Sequence, residues 1–148
     1  MKVYIDMDGV ITKYIKSDYP SKFLSVPHYF KYRQLNIFEI PPHYIILSKV
    51  TTEEERRDKT LFIKKHFPNN KFILTKKPKH KRVNPQGNIL IDDWNKNLND
   101  WRDCGGIPIK YLNGINSLRK DILCIYNIGV LSALDSTINK WYNNTKKL

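Results

Sequence analysis

Short apolar runs recur along the chain, separated by longer polar or amphipathic stretches. Five of these runs predict β-strands, because short continuous apolar runs bounded by turn residues are typical of strands buried on both faces of a sheet. They are residues 2–5 (KVYI), 44–48 (YIILS), 71–75 (KFILT), 88–91 (NILI) and 107–112 (IPIKYL).

Two of the intervening stretches predict helices. In TTEEERRDKTLFIKKHF, Thr52 and Glu55 have capping-box spacing, and acidic residues occupy the first turn, where the helix dipole favours them. Residues 95–104 predict a second helix, which the glycines at 105 and 106 would end. Strands and helices that alternate in this way predict an α/β fold, with a parallel sheet covered by helices in the Rossmann-like manner.

The length of 148 residues is that of one compact domain, so we expect a single domain over residues 1–148. Residues 12–43 form an insertion between the first two predicted strands. Residues 117–148 predict a helical segment, since Leu131, Leu134, Ile138 and Trp141 recur at helical spacing. This segment either packs against the core or mediates self-association, so both a monomer and a homodimer remain open.

The formal net charge of +12 attracts anions. Nucleotides and nucleic acids are therefore expected partners, although a solvated lysine-rich surface explains the charge equally well. No apolar stretch approaches the roughly 20 residues that span a bilayer, and the first residues enter a strand without a signal-peptide pattern. We therefore expect a cytoplasmic protein with no membrane partner.

Two acidic pairs follow predicted strands. Asp6 and Asp8 come after the first strand, with Gly9 allowing a sharp turn, and Asp92 and Asp93 close the fourth. Ligands bind beyond the carboxyl ends of parallel strands, and converging carboxylates need a cation or a proton to offset their repulsion. These pairs predict a site for a hard cation such as Mg²⁺, the alternative being ordinary turn residues.

The motifs around these pairs resemble those of a known superfamily. DMDGV, residues 6–10, resembles the first motif of the haloacid dehalogenase (HAD) superfamily of phosphatases, and Ser48 and the pair Asp92–Asp93 resemble its second and fourth. The third motif is a lysine upstream of the fourth, for which Lys81 fits best by its distance from Asp92 and Lys79 is the alternative.

A narrower resemblance covers residues 92–106. DDWNKNLNDWRDCGG is similar to a stretch of the 5'(3')-deoxyribonucleotidase family, with Asn97, Trp101 and the two glycines in register. We expect Trp101 to be buried structure and Asn97 to support the site. Trp94 and Asn95 stand where that family usually has Arg-Pro, which leaves the substrate preference open.

The resemblance implies a HAD-like Rossmannoid three-layer α/β/α domain with a small cap over residues 12–43. It also implies a Mg²⁺-dependent hydrolase that cleaves the phosphate monoester of (deoxy)nucleoside monophosphates through an aspartyl-phosphate. Asp6 would be the nucleophile and Asp8 the general acid and base, while Ser48 and Lys81 would hold the phosphoryl oxygens.

The resemblance also implies a metal site. Asp6, Asp92 and the backbone carbonyl of Asp8 would bind Mg²⁺, with Asp93 acting through water or orienting the lysine.

The cap would select the substrate. It is rich in aromatic residues, which either stack on a base or form the small core of the cap itself. The candidate substrate-binding residues are Tyr14, Phe23 and Tyr29 in the cap and Lys49 after Ser48. A cap this small also admits a second interpretation, a phosphatase acting on 3'- or 5'-phosphorylated nucleic-acid ends. A non-catalytic nucleic-acid-binding protein is a third, which leaves the order of the motifs unexplained.

Overall fold

The computed structural model describes residues 1–13 and 34–111. Within these ranges all five predicted strands and both predicted helices are present, together with one short helix that was not predicted. The elements are β1 (Val3–Ile5), β2 (Ile45–Lys49), α1 (Glu53–His66), β3 (Phe72–Thr75), α2 (Lys79–Arg82), β4 (Ile89–Asp92), α3 (Asn95–Asp103) and β5 (Ile107–Lys110). This architecture confirms the α/β prediction.

The five strands form one sheet in the order β3-β2-β1-β4-β5, and every neighbouring pair is parallel. β1 lies at the centre, where Ile5 pairs with Ile46 on one side and with Ile91 on the other. The carboxyl ends of β1, β2 and β4 therefore lie next to one another at one edge of the sheet.

Both faces of the sheet are buried. Because successive strand residues point to opposite faces, Ile5 and Ile46 pack with Phe62 and Ile63 of α1, whereas Tyr4 packs with residues of α3 on the other face. α1 also buries Asp58, whose carboxylate oxygens have no hydrogen-bond partner among the described residues.

The predicted cap of α1 is present with one change. The hydroxyl of Thr52 accepts a hydrogen bond from the backbone N–H of Glu55 at 3.1 Å, as a capping box requires. The Glu55 carboxylate, however, accepts from the backbone N–H of Thr51 at 2.9 Å rather than from that of Thr52. At the end of α3, Gly105 adopts a φ of +86°, which suits the predicted glycine stop.

The two ends of the insertion between β1 and β2 lie side by side and are hydrogen-bonded to each other. The backbone N–H of Lys13 donates to the carbonyl of Gln34 at 2.8 Å, and that of Asn36 donates to Ile11 at 2.7 Å. Residues 14–33 of the predicted cap and the whole predicted C-terminal helical segment lie outside the described residues. In residues 1–13 and 34–111, no helix has both the length and the apolar character needed to cross a membrane.

Candidate active site

The loop after β1 and the end of β4 approach closely. The backbone N–H of Asp6 donates to the carbonyl of Ile91 at 2.8 Å, which extends the strand pairing by one residue. Gly9 has a φ of +87°, and a Cβ at this position would collide with the carboxylate of Asp93. Only glycine therefore allows the loop to pass so close to Asp93 in this conformation.

Three carboxylates converge at this edge of the sheet. Ligand oxygens of Asp6, Asp92 and Asp93 all lie within 4.8 Å of one another, with Asp6 and Asp92 buried and Asp93 half-buried. Oxygen donors at this density are the ligands that Mg²⁺ prefers. Three of the four carboxylates in the two acidic pairs therefore meet at one edge of the sheet, as predicted.

A buried lysine lies between two of these carboxylates. The ammonium group of Lys79 donates to Asp6 Oδ1 and to Asp92 Oδ2, each at 2.6 Å, and its side chain is only 4% exposed. Lys81 lies two residues further along α2 and is exposed. Two residues rotate a helix by about 200°, so the two side chains leave it in nearly opposite directions. Of the two candidates for the third motif, the structure therefore places Lys79, the alternative, at the carboxylates and Lys81, the preferred one, at the surface.

The carboxylates perturb one another strongly. Burial and then the charge of Asp92 raise the pKa of Asp6 well above its usual range, and the same two causes raise the pKa of Asp93 to about 6. Burial acts on Asp92 too, but the ammonium of Lys79 outweighs it and holds the pKa of Asp92 below its usual value. The single positive charge of Lys79 therefore does not balance three carboxylates. A divalent cation bound among them would lower the pKa of all three.

Asp92 is held in place from α3. Its Oδ1 accepts from the backbone N–H of Trp94 at 2.9 Å, and its Oδ2 accepts from the side-chain amide of Asn97 at 3.1 Å. Asn97 thus supports the site, as expected. Trp101 is fully buried, donates from its indole N–H to the carbonyl of Asn88 at 3.0 Å and packs edge-to-face on Tyr4, which confirms its structural role.

A second buried lysine joins the acid Asp8 to the predicted phosphate-binding serine. The ammonium of Lys59 donates to Asp8 Oδ2 at 2.6 Å and to Ser48 Oγ at 2.9 Å, and its side chain is 2% exposed. Burial lowers the pKa of Lys59, but Asp8 and Glu55 outweigh that effect, so the pKa is raised and the group stays charged. Sequence reasoning missed this residue. The signal was its spacing from Phe62 and Ile63, which places it on the buried face of α1.

A cavity of about 530 Å³ opens onto these groups. Trp94, 63% exposed, and Lys96 contribute to its wall beside the acidic cluster. The substrate-binding candidates Tyr14, Phe23 and Tyr29 lie outside the described residues. The other predicted site residues that line the cavity are Asp6, Asp8, Ser48, Lys49, Asp92 and Asp93.

No family model matches the chain, and no curated protein matches it. The relation to the HAD superfamily therefore remains a prediction that the motifs carry.

Proposed function

We propose that this protein is a Mg²⁺-dependent phosphatase that hydrolyses (deoxy)nucleoside monophosphates through a covalent phosphate on Asp6. The observation that carries this proposal is the convergence of Asp6, Asp92 and Asp93, two of which contact Lys79, with Asp8 in the same cavity. The order of the four motifs, which resembles that of HAD-like phosphatases, supports the same reaction.

The donor set fits a hard divalent cation. Fully ionised, the three carboxylates and Lys79 sum to a charge of −2, which a divalent ion would offset. Asp6, Asp92 and the backbone carbonyl of Asp8 would hold the ion, with Asp93 acting directly or through water. When bound, Mg²⁺ would neutralise negative charge on the phosphate and on the nucleophile.

The residues then divide the chemistry. The Asp6 carboxylate attacks phosphorus while the bond to the leaving oxygen breaks, and Asp8 gives that oxygen a proton. In the second half, Asp8 takes a proton from water, which attacks the phosphorus of the aspartyl-phosphate and releases phosphate and Asp6. The hydroxyl of Ser48 and the ammonium of Lys79 hold the phosphoryl oxygens, so Lys79 takes the role predicted for Lys81.

A nucleoside is the proposed leaving group because the cavity wall offers a stacking surface. Trp94 is exposed beside the acidic cluster, and an aromatic ring stacked on a base contributes about 1–3 kcal/mol. Lys49 and Lys96, which line the same cavity, supply cations for the phosphate or the sugar. Trp94 also stands where the resembled family has arginine, so base preference is expected to differ.

The test measures phosphate release from a panel of nucleoside monophosphates, with glycerol phosphate as the ester that lacks a ring. We expect release with Mg²⁺, none with EDTA, and a KM for the nucleotide that rises about tenfold or more in Trp94→Ala. The KM for glycerol phosphate serves as the internal control and should not change. Failure of the wild-type protein to cleave any ester in Mg²⁺ would contradict the proposal.

A phosphatase for nucleic-acid ends is the second candidate, because a basic cavity lies near the end of β3. This cavity of about 400 Å³ is lined by Arg56, Lys76, Lys77 and Arg82, with Glu53 as its acidic member. Such a cluster could hold further phosphates of a strand.

Salt dependence separates the two candidates. A strand end held by several cations should lose affinity steeply with ionic strength, whereas a mononucleotide should show a shallow dependence. For a phosphorylated oligonucleotide we then expect Lys77→Met to weaken binding, with Lys2→Met as the control, since Lys2 precedes β1 at the opposite edge of the sheet. Binding of oligonucleotides without phosphate release would instead favour a non-catalytic nucleic-acid-binding protein.

A further inference from the structure

The ammonium group of Lys59 contacts oxygen atoms of four different residues. Besides Asp8 and Ser48, its ammonium group donates to the backbone carbonyl of Lys49 at 2.9 Å and lies 3.1 Å from a carboxylate oxygen of Glu55. Four oxygen atoms thus surround one buried ammonium that has three protons. Two of these atoms are side-chain oxygens of residues with proposed roles in the chemistry, Asp8 and Ser48.

The contact with Ser48 dictates the direction of its hydroxyl proton. An ammonium group only donates hydrogen bonds, so Ser48 Oγ must be the acceptor toward Lys59. The hydroxyl proton then points elsewhere. Because Ser48 lines the cavity, this proton is available to a phosphoryl oxygen.

The contact with Asp8 separates the two aspartates of the first motif. Lys79 contacts Asp6 and Asp92, whereas Lys59 contacts Asp8 through Oδ2. A general acid must hold its carboxyl group beside the leaving oxygen, and an error of an ångström costs much of the rate. A short bond from a buried, rigid side chain restricts the carboxyl group in this way.

Stability alone explains this arrangement poorly. The desolvation of buried ions often cancels their attraction, and well-packed apolar residues stabilise a core at least as well. Phe62 and Ile63 show that the same face of α1 packs with apolar side chains elsewhere.

We propose that Lys59 is a positioning residue that fixes the carboxyl group of Asp8 and directs the hydroxyl proton of Ser48 toward the phosphoryl group. This inference rests on the proposed phosphatase activity and deepens it. Glu55 in turn holds Lys59, since its other carboxylate oxygen accepts from the backbone N–H and the hydroxyl of Thr51 at 2.9 and 3.0 Å.

The test compares two esters in Lys59→Met, with Lys64→Met as the control because Lys64 is exposed on the same helix. A nucleoside monophosphate needs a proton on its leaving oxygen, whereas 2,4-dinitrophenyl phosphate does not. We expect kcat/KM, which reports only the steps up to formation of the aspartyl-phosphate, to fall about 100-fold or more on the first ester and less than about tenfold on the second. An equal loss on both esters, or no loss, would overturn the inference.

Two further variants keep the test decisive. Removing Lys59 in an Asp8→Asn background should cost the nucleotide only the smaller factor lost on the dinitrophenyl ester, because the contribution through Asp8 is already gone, and a fully multiplicative loss would count against the inference. Glu55→Gln leaves Lys59 in place and should cause a smaller loss, which is again greater on the nucleotide than on the dinitrophenyl ester. Equal losses on the two esters would overturn the inference.

A failure of the proposed function gives a different result. Wild-type protein that releases phosphate from neither ester in Mg²⁺ refutes the phosphatase itself. Active wild-type protein whose Lys59→Met variant shows no ester preference refutes only the role of Lys59.

Discussion

Lys79 and Lys81 provide a matched pair, because both lie on α2 and only Lys79 contacts the acidic cluster. Replacing Lys79 with methionine keeps most of the side-chain volume and removes the ammonium that lies 2.6 Å from both Asp6 and Asp92. The same change at Lys81 removes an exposed charge. The two variants thus differ in geometry while sharing sequence context and chemistry.

The structure sets the expected magnitudes. Breaking a buried ion pair from one side costs about 3–5 kcal/mol, because it leaves uncompensated charge in the interior. In a domain of this size that loss lowers Tm by about 6–20 °C. Partial protonation of Asp6 would reduce the cost, so the loss should be larger at pH 8 than at pH 5. Lys81→Met should change stability by no more than about 0.5 kcal/mol.

Mg²⁺ should reveal the cause of the loss. Without Lys79, the net charge of the site falls from −2, the sum of three carboxylates and one lysine, to −3, so the variant gains more from a divalent cation than the wild type does. We therefore expect the rise in Tm on replacing EDTA with Mg²⁺ to be larger in Lys79→Met than in wild type or Lys81→Met. Its kcat should stay low, by about 100-fold or more, since one phosphoryl contact is gone.

Thermal denaturation and phosphate release, each with Mg²⁺ and with EDTA, measure these effects. A large loss of activity in Lys81→Met, with near-normal turnover in Lys79→Met, would show that the third-motif role belongs to Lys81. Equal Mg²⁺ effects in all three proteins would refute the charge argument at the cluster.

The remaining predictions concern the nucleophile, the loop glycine and the buried acid of α1. Asp6→Asn should abolish turnover, since an amide is neither a competent nucleophile nor an anionic ligand, and activity near the wild-type level would end the covalent mechanism. Gly9→Ala should weaken Mg²⁺ binding in a titration, because its Cβ displaces Asp93 and its φ is strained. Burial raises the pKa of Asp58 to about 6, so folding takes up a proton between about pH 4 and 6 and stability falls as pH rises through that range. Asp58→Asn should therefore raise Tm over wild type at pH 7.5 but not at pH 4, and an equal gain at both values would count against this pKa.

The strands and the meeting of the acidic pairs were predictable from the sequence for one reason. Strands buried on both faces must be apolar throughout, so residues 44–48 and 88–91 stand out from their polar surroundings. Polar residues that directly follow such strands lie at the carboxyl edge of a parallel sheet, independently of the conformation of the connecting loops. Asp6 and Asp92 therefore meet without any knowledge of side-chain geometry.

The lysines were harder to assign because a long side chain reaches many places. Distance along the chain favoured Lys81. The lysine that faces the carboxylates is decided instead by the rotation of one short helical turn after Pro78, and a single turn is too short to show a hydrophobic periodicity. Lys59 lies among other basic residues of α1, so its charge alone carried no signal. The helical spacing, however, places Lys59 on the apolar face of α1. A lysine buried there without a partner would be costly, so this position predicts an anionic partner for Lys59.

The charges of the cavity explain why the proposed phosphatase would need a metal at this site although the protein is strongly basic. The carboxylates of Asp8 and Glu55 contact Lys59, and two of the three carboxylates of the acidic cluster contact Lys79. When fully ionised, these five carboxylates and two lysines sum to −3. The net charge of +12 attracts a phosphate ester over long distances, but this local charge repels it on arrival. Lys49 and Lys96 on the wall offset part of that repulsion. A divalent cation would remove most of the remainder and keep Asp6 ionised, so in the proposed function the field of the protein would attract the substrate and the metal would allow it to bind.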